Sequence, residues 1–289
     1  MQSEDAPSIR MKIGSEEKIR VAFVGNSILY YNDCPRLLER MLLQICEVSQ
    51  DSCLRGGATL TSMLEQGNGM KRKFASPPAK IKDGSFDIGA PTVQSLLSDK
   101  CWEFVVMNDH TQSPAREETK KRTLRVLREQ YARMVGDAMV VFIQTAAYRR
   151  PVKNSDDLGG FDEFTERLRE GYSEYANALP KAKVAPVGQA YQHVRRHHGN
   201  DLWEKLYARD DFHPSPHGTF LEASVIYCTI VGKRPPAYDN TWWRTARYMQ
   251  PPDEESLPLP TNEEAGLLTD IACRVCGLED TDALNSSRL

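Results

Sequence analysis

Nowhere in the 289 residues does an apolar run approach the roughly 18 positions that a membrane-spanning helix requires. An excess of positive charge is missing too. The 37 Lys and Arg against 40 Asp and Glu leave a formal net charge of -3, which excludes the basic field of a nucleic-acid-binding surface. The opening stretch MQSEDAPSIRMKIGSEEKIR is polar and lacks the apolar core of a secretory leader. Cysteine is sparse and odd in number, 7 in all, without the spacing of a disulfide framework. Free thiols in a reducing, cytoplasmic setting are the expectation. No internal repeat breaks the chain into smaller units, and 40% hydrophobic with 27% charged residues is ordinary for one large α/β domain.

What is present is an alternation of apolar runs and helical spacings. Residues 1–17 read as a flexible lead-in, followed by a single domain over 18–289. Ile19–Gly25, Asp51–Leu54, Trp102–Met107, Ala138–Thr145 and Ala182–Val187 read as strands, continuous enough to be buried on both faces. Helical spacing recurs over Pro35–Val48, Pro114–Gly136, Asp157–Leu179, Ala190–His198, Asp201–Tyr207, Gly218–Val231 and Asn262–Cys276. Alternation of this kind predicts a three-layer α/β/α sandwich around a parallel sheet of about five strands. The stretch 55–100 is broken by glycine and proline and reads as a long loop with short helices, a candidate lid. Residues 232–260, rich in Pro, Trp and Tyr, read as an irregular wrapping segment.

In an open α/β sheet, ligands bind beyond the carboxyl ends of the strands. Gly25, Asn26 and Ser27 follow the first strand, Gly56 and Gly57 the second, and Asn108, Asp109 and His110 the third; Asp210 and His213 lie on a proline-punctuated loop after the last. Acyl transfer needs this set. Ser27 would attack a carbonyl, His213 would take and return its proton, and Asp210 would hold the imidazole tautomer. The oxyanion would need donors: the Ser27 N–H, a glycine N–H and the Asn108 amide.

These residues carry a resemblance. VGNS with Ser27, RGGATL with Gly57, VVMNDHTQSP with Asn108 and DDFHPS with His213 resemble the four blocks of the SGNH (GDSL-like) hydrolase superfamily. Asp210 and His213 match its Asp-x-x-His spacing. VGNSILYYND and HPSPHGTFLEA are similar to a subgroup reading GNS-x-x-YYND and HPS-x-x-G. The resemblance implies a flavodoxin-like strand order and a serine esterase working through an acyl-enzyme. It also implies an ester substrate with a small acyl group, such as acetyl on a carbohydrate, and no cofactor or metal. An acyltransferase using the same triad and a catalytically silent carbohydrate-binding protein are the alternatives. Asn26 stands where the superfamily name has aspartate, and Val106 replaces a glycine of the third block. Asp211 beside Asp210 competes as the orienting carboxylate, with Asp210 holding the matching frame.

Other residues have plainer readings. His110 lies at a strand end without a partnered aspartate. His193 and His197 stand four apart on a helix, in metal-gripping spacing, but with Arg195, Arg196 and His198 they read better as a solvated basic patch. Cys273-x-x-Cys276 has no second pair and reads as buried thiols. Trp242, Trp243 and Tyr248 read as core cover ahead of a sugar platform. One of Tyr30 and Tyr31 is expected to face the pocket, and Asn32 and Asp33 to cap a helix.

Overall fold

The computed structural model of the chain describes residues 18–65, 92–99, 101–152, 155–244 and 257–278. The expected lead-in over 1–17, most of the candidate lid and Tyr248 lie outside the described residues. Five strands, β1 (Lys18–Gly25), β2 (Glu47–Leu54), β3 (Phe104–Met107), β4 (Met139–Ile143) and β5 (Ala182–Ala185), form one parallel sheet in the order β2-β1-β3-β4-β5. β3 is buried along its whole length, and β1 is buried from Val21 onward. This explains why VAFV and FVVM are continuous apolar runs with no alternation. At the sheet edge, β5 exposes Lys183.

Helices α1 (Ser27–Tyr30) and α2 (Cys34–Leu42) join β1 to β2, and α3 (Leu60–Glu65) and α4 (Val93–Asp99) lie between β2 and β3. Between β3 and β4, α5 (Glu117–Val126) runs through a π turn at Leu127–Tyr131 into α6 (Ala132–Met134). α7 (Phe161–Asn177) leads to β5, and α8 (Val187–His197), α9 (Gly199–Lys205), α10 (Pro216–Val231) and α11 (Asn262–Val275) follow. Right-handed crossovers require α2 on one face with α10, and α3 to α7 on the other. The packing agrees, since α10 lies against α2, α8 and α11, while α7 lies against β4, β5 and α5. This is the expected three-layer α/β/α sandwich, with the expected flavodoxin-like order.

Several boundaries differ from the sequence reading, and two have a clear physical reason. The helix expected to reach Val48 stops at Leu42, because Ile45 continues the apolar spacing from inside a turn closed by Ile45 and Cys46 N–H bonds to Leu42 O. β2 begins at Glu47, earlier than expected, its polar residues Gln50, Asp51 and Ser52 being buried at the sheet edge. In the described part of the wrapping segment, one tryptophan joins the core. Trp242 is buried and packs edge-on against Tyr238, which packs against Phe220 of α10. Cys273 of α11 faces Cys228 of α10, with sulfur atoms 4.0 Å apart and neither cysteine in a disulfide.

One buried acid sits at odds with the core. Glu222 of α10 is 1% exposed, beside the Cys34 thiol, and its Oε1 finds no partner. Burial pushes its carboxyl up to about 8 from the ordinary 4.5, so it is neutral where other carboxylates are charged. The unfolded chain releases this proton near 4.5 and the folded chain near 8. Stability therefore falls as pH rises between these values and is level above them. Glu222→Gln is expected to remove this slope. Urea midpoints at pH 5 and pH 8 check it: the variant should gain on the parent at pH 8 relative to pH 5. An equal difference at both pH values would contradict the assignment.

Candidate active site

Strand order reverses between β1 and β3, and the crevice at such a switch point is where α/β sheets hold ligands. Here two asparagines at the strand ends bridge that crevice. The Asn26 N–H donates to Asn108 Oδ1 at 3.2 Å, and Asn108 Nδ2 donates back to Asn26 Oδ1 at 2.8 Å. Asn26 Oδ1 also caps α1 by accepting from the Ile28 N–H at 3.2 Å, and Asn26 Nδ2 donates to Ala58 O at 2.9 Å. Asn26 thus aims the start of α1, which is Ser27. Gly25 is required beside it, because a Cβ there would lie 2.0 Å from Asn108 Oδ1.

Ser27 Oγ lies 2.8 Å from His213 Nε2, and His213 Nδ1 lies 2.6 Å from Asp210 Oδ2. The other oxygen, Asp210 Oδ1, accepts the N–H groups of Phe212 at 3.2 Å and His213 at 3.0 Å. Burial alone would raise the Asp210 carboxyl. The hydrogen bonds and charge attraction from His213, with these two N–H groups, hold it below the ordinary aspartate range. The His213 ring is 7% exposed and lies flat on Tyr31, with centroids 3.9 Å apart and planes 1° apart, while Phe212 packs beside it at 3.9 Å. Of the two tyrosines, Tyr31 therefore meets the histidine.

The histidine loop is tied down from several sides. Ala208 N–H donates to His213 O at 2.8 Å, Ser215 N–H to Leu206 O at 3.0 Å and Arg149 N–H to Asp211 O at 2.8 Å. Asn32 Nδ2 reaches across from the serine segment to Pro214 O at 2.8 Å and Thr219 Oγ1 at 3.0 Å. Asn32, Asp33 and Asp211 take positive φ of 52°, 59° and 68°, a conformation that asparagine and aspartate tolerate better than most residues. Asp33 caps α2 as expected, accepting from the Arg36 N–H, whereas Asn32 is a cross-link and not a cap. Asp211 Oδ1 meets the Arg149 guanidinium at 2.5 Å, so the two adjacent aspartates face different partners.

The expected oxyanion donors fare differently. Ser27 opens α1, where a first-turn N–H has no intrahelical acceptor. Gly57 sits with φ +66° in an exposed turn closed by Ala58 N–H to Arg55 O at 3.2 Å. That turn rests on the serine segment through Arg55 N–H to Gly25 O at 3.0 Å. Asn108 is 0% exposed, and its amide donates to Asn26 Oδ1 at 2.8 Å and to Asp109 O at 3.1 Å.

Asp109 is structural. Its buried carboxylate accepts from Leu60 N, His110 N, Thr123 Oγ1 and Tyr175 Oη between 2.8 and 3.0 Å. His110 accepts from Gln112 N–H at 3.4 Å, and burial lowers its pKa. His217 is buried and bonds Glu264 at 3.2 Å, tying α10 to α11. On α8 the His193 ring lies 4.5 Å from His197 and 5.5 Å from His198, and no acidic or cysteine side chain among the described residues completes a metal-binding group with them.

No family model matches the chain, and no curated protein does. Solved structures do. One is a protein of Slackia heliotrinireducens described as a "putative SGNH hydrolase", 27% identical with a TM-score of 0.51, over 74% of this chain and 100% of that one. Another is a DUF4886 family protein from Bacteroides uniformis, 15% identical with a TM-score of 0.63, over 92% of this chain and 98% of that one; it bears on the fold alone. By its fold and its likeness to the Slackia protein, the chain is similar to the SGNH (GDSL-like) hydrolase superfamily.

Proposed function

We propose that the protein is a serine esterase that cleaves an acyl ester through an acyl-enzyme on Ser27. The observation that carries this reading is the unbroken chain of 2.8 Å and 2.6 Å contacts from Ser27 Oγ through His213 to Asp210. With Asp210 ionised, His213 Nδ1 keeps its hydrogen and Nε2 is the basic nitrogen facing the serine. Ser27 Oγ attacks the ester carbonyl as His213 takes its proton. His213 then gives that proton to the departing alcohol, and water repeats the sequence to release the acid. The likeness to the Slackia protein described as an SGNH hydrolase supports the same chemistry.

A small acyl group, with acetyl on a carbohydrate as the example, remains the substrate class proposed from the sequence resemblance. Asp210 is proposed as the orienting carboxylate, because Asp211 is held by Arg149. No cofactor enters this sequence of steps.

Hydrolysis of a panel of esters from acetyl to long acyl tests the reading. Ser27→Ala and His213→Ala should each abolish turnover with melting temperature preserved. Ester hydrolysis by well-folded Ser27→Ala at the parent rate would overturn it. The two aspartates separate cleanly. Asp210→Asn should lower kcat by on the order of 10⁴-fold, through loss of the correct imidazole tautomer. Asp211→Asn should lower it by less than about tenfold and cost about 1 kcal/mol of stability from the lost Arg149 pair. The opposite ranking in kcat would reassign the orienter.

A further inference from the structure

The ring of Tyr31 lies over the ring of His213, with centroids 3.9 Å apart and planes 1° apart. Local bonds hold it there. The Tyr31 N–H closes α1 on Ser27 O, at the point where the backbone turns extended. The next residue, Asn32, donates to Pro214 O at 2.8 Å, so a bond one step beyond each ring clamps the two together. Tyr30 continues the stack, its ring 5.6 Å from that of Tyr31. The phenol face meets an imidazole that is 7% exposed and whose two nitrogens face Ser27 and Asp210. An aromatic face is negative, and it attracts a cation above it more strongly where water is excluded.

We propose that Tyr31 is a positioning residue that acts through His213, its ring face stabilising the imidazolium that forms in the transition state. The proposal rests on the esterase reading. When Ser27 Oγ bonds to the ester carbon, its proton moves to His213 Nε2 and the carbonyl π pair moves to oxygen. The imidazole then carries a full positive charge. Collapse restores the C=O bond, breaks the bond to the alcohol oxygen and delivers the proton to that oxygen, which leaves the ring neutral. The attraction to Tyr31 is therefore stronger in the transition state than in the ground state, the condition for raising kcat. Among the described residues, the titratable groups set against the ring are Asp210 and Ser27 at its nitrogens and the Tyr31 phenol on its face. The neighbouring Asp211 is paired with Arg149. Phe212, the other ring beside the imidazole, is tilted by 40° and presents its face less squarely.

The test is the pH profile of kcat and KM on one short ester, for Tyr31→Leu, Tyr31→Phe and chains carrying a monofluorinated or trifluorinated phenylalanine in place of Tyr31. Fluorine drains charge from the ring face and leaves its shape nearly unchanged, so the series separates attraction from packing. Ser27→Ala is the reference, and all are assayed well below their melting temperatures. Tyr31→Phe should keep kcat within about threefold, because the face remains. Tyr31→Leu should lower kcat by about tenfold, the scale of a cation–π contact in a dry site, with KM within about threefold. The acidic limb of its kcat/KM profile should move about one pH unit lower, because losing the face disfavours the charged imidazole. The fluorinated rings should fall between phenylalanine and leucine in both readouts, the trifluorinated ring nearer to leucine. If kcat and the acidic limb ignore fluorination while Ser27→Ala is inactive, the proposal is overturned and the esterase reading stands. A Tyr31→Phe loss as large as that of Tyr31→Leu, or an effect confined to KM, would also overturn it. Activity in Ser27→Ala would instead remove the esterase reading beneath it.

Discussion

A 2.8 Å hydrogen bond joins Ser27 and His213 across 186 positions of sequence, and much of the structure at the carboxyl edge of the sheet serves to hold that distance. One end is fixed by the sheet, since only Asn26 separates Ser27 from the interior strand β1. The other end sits on a loop, and loops hold geometry only when their backbone groups are engaged. Here the carbonyls of His213, Pro214 and Asp211 are all engaged, by Ala208, Asn32 and Arg149. The Tyr31 ring stacked on the imidazole removes the remaining rotation. Holding reacting groups in place before substrate arrives is where much of an enzyme's rate originates.

The same edge carries a buried polar network whose members satisfy one another. Asn26, Asn108 and Asp109 are 2% or less exposed, and each would be costly to bury without partners. Asn26 and Asn108 pair reciprocally across the switch point, and Asp109 gathers donors from α3, α5 and α7 as well as from its own loop. Asn26 Nδ2 binds Ala58 O, and its single side-chain oxygen accepts from both the Asn108 amide and the Ile28 N–H.

Much of this was legible in the chain. Continuous apolar runs marked β1, β3 and β4 because a strand covered on both faces needs no alternation, and chain order with the Asp-x-x-His spacing pointed to Ser27, Asp210 and His213. The edge strand β2 was only half visible, since its buried residues Gln50, Asp51 and Ser52 look like loop chemistry. Spacing favoured Asp210 over Asp211, but what holds Asp211 was hidden: Arg149, a residue 62 positions away, binds its carboxylate. The partners of the Asn108 amide were hidden for the same reason, because sequence does not place Asn26 beside it.

The account stands or falls on whether Ser27 is an activated nucleophile. Intact mass after incubation with a small fluorophosphonate, on the parent and on Ser27→Ala, tests this most directly. The account predicts one covalent adduct on the parent and none on the variant. An unmodified parent that is folded by circular dichroism, or an adduct that persists in Ser27→Ala, would contradict it.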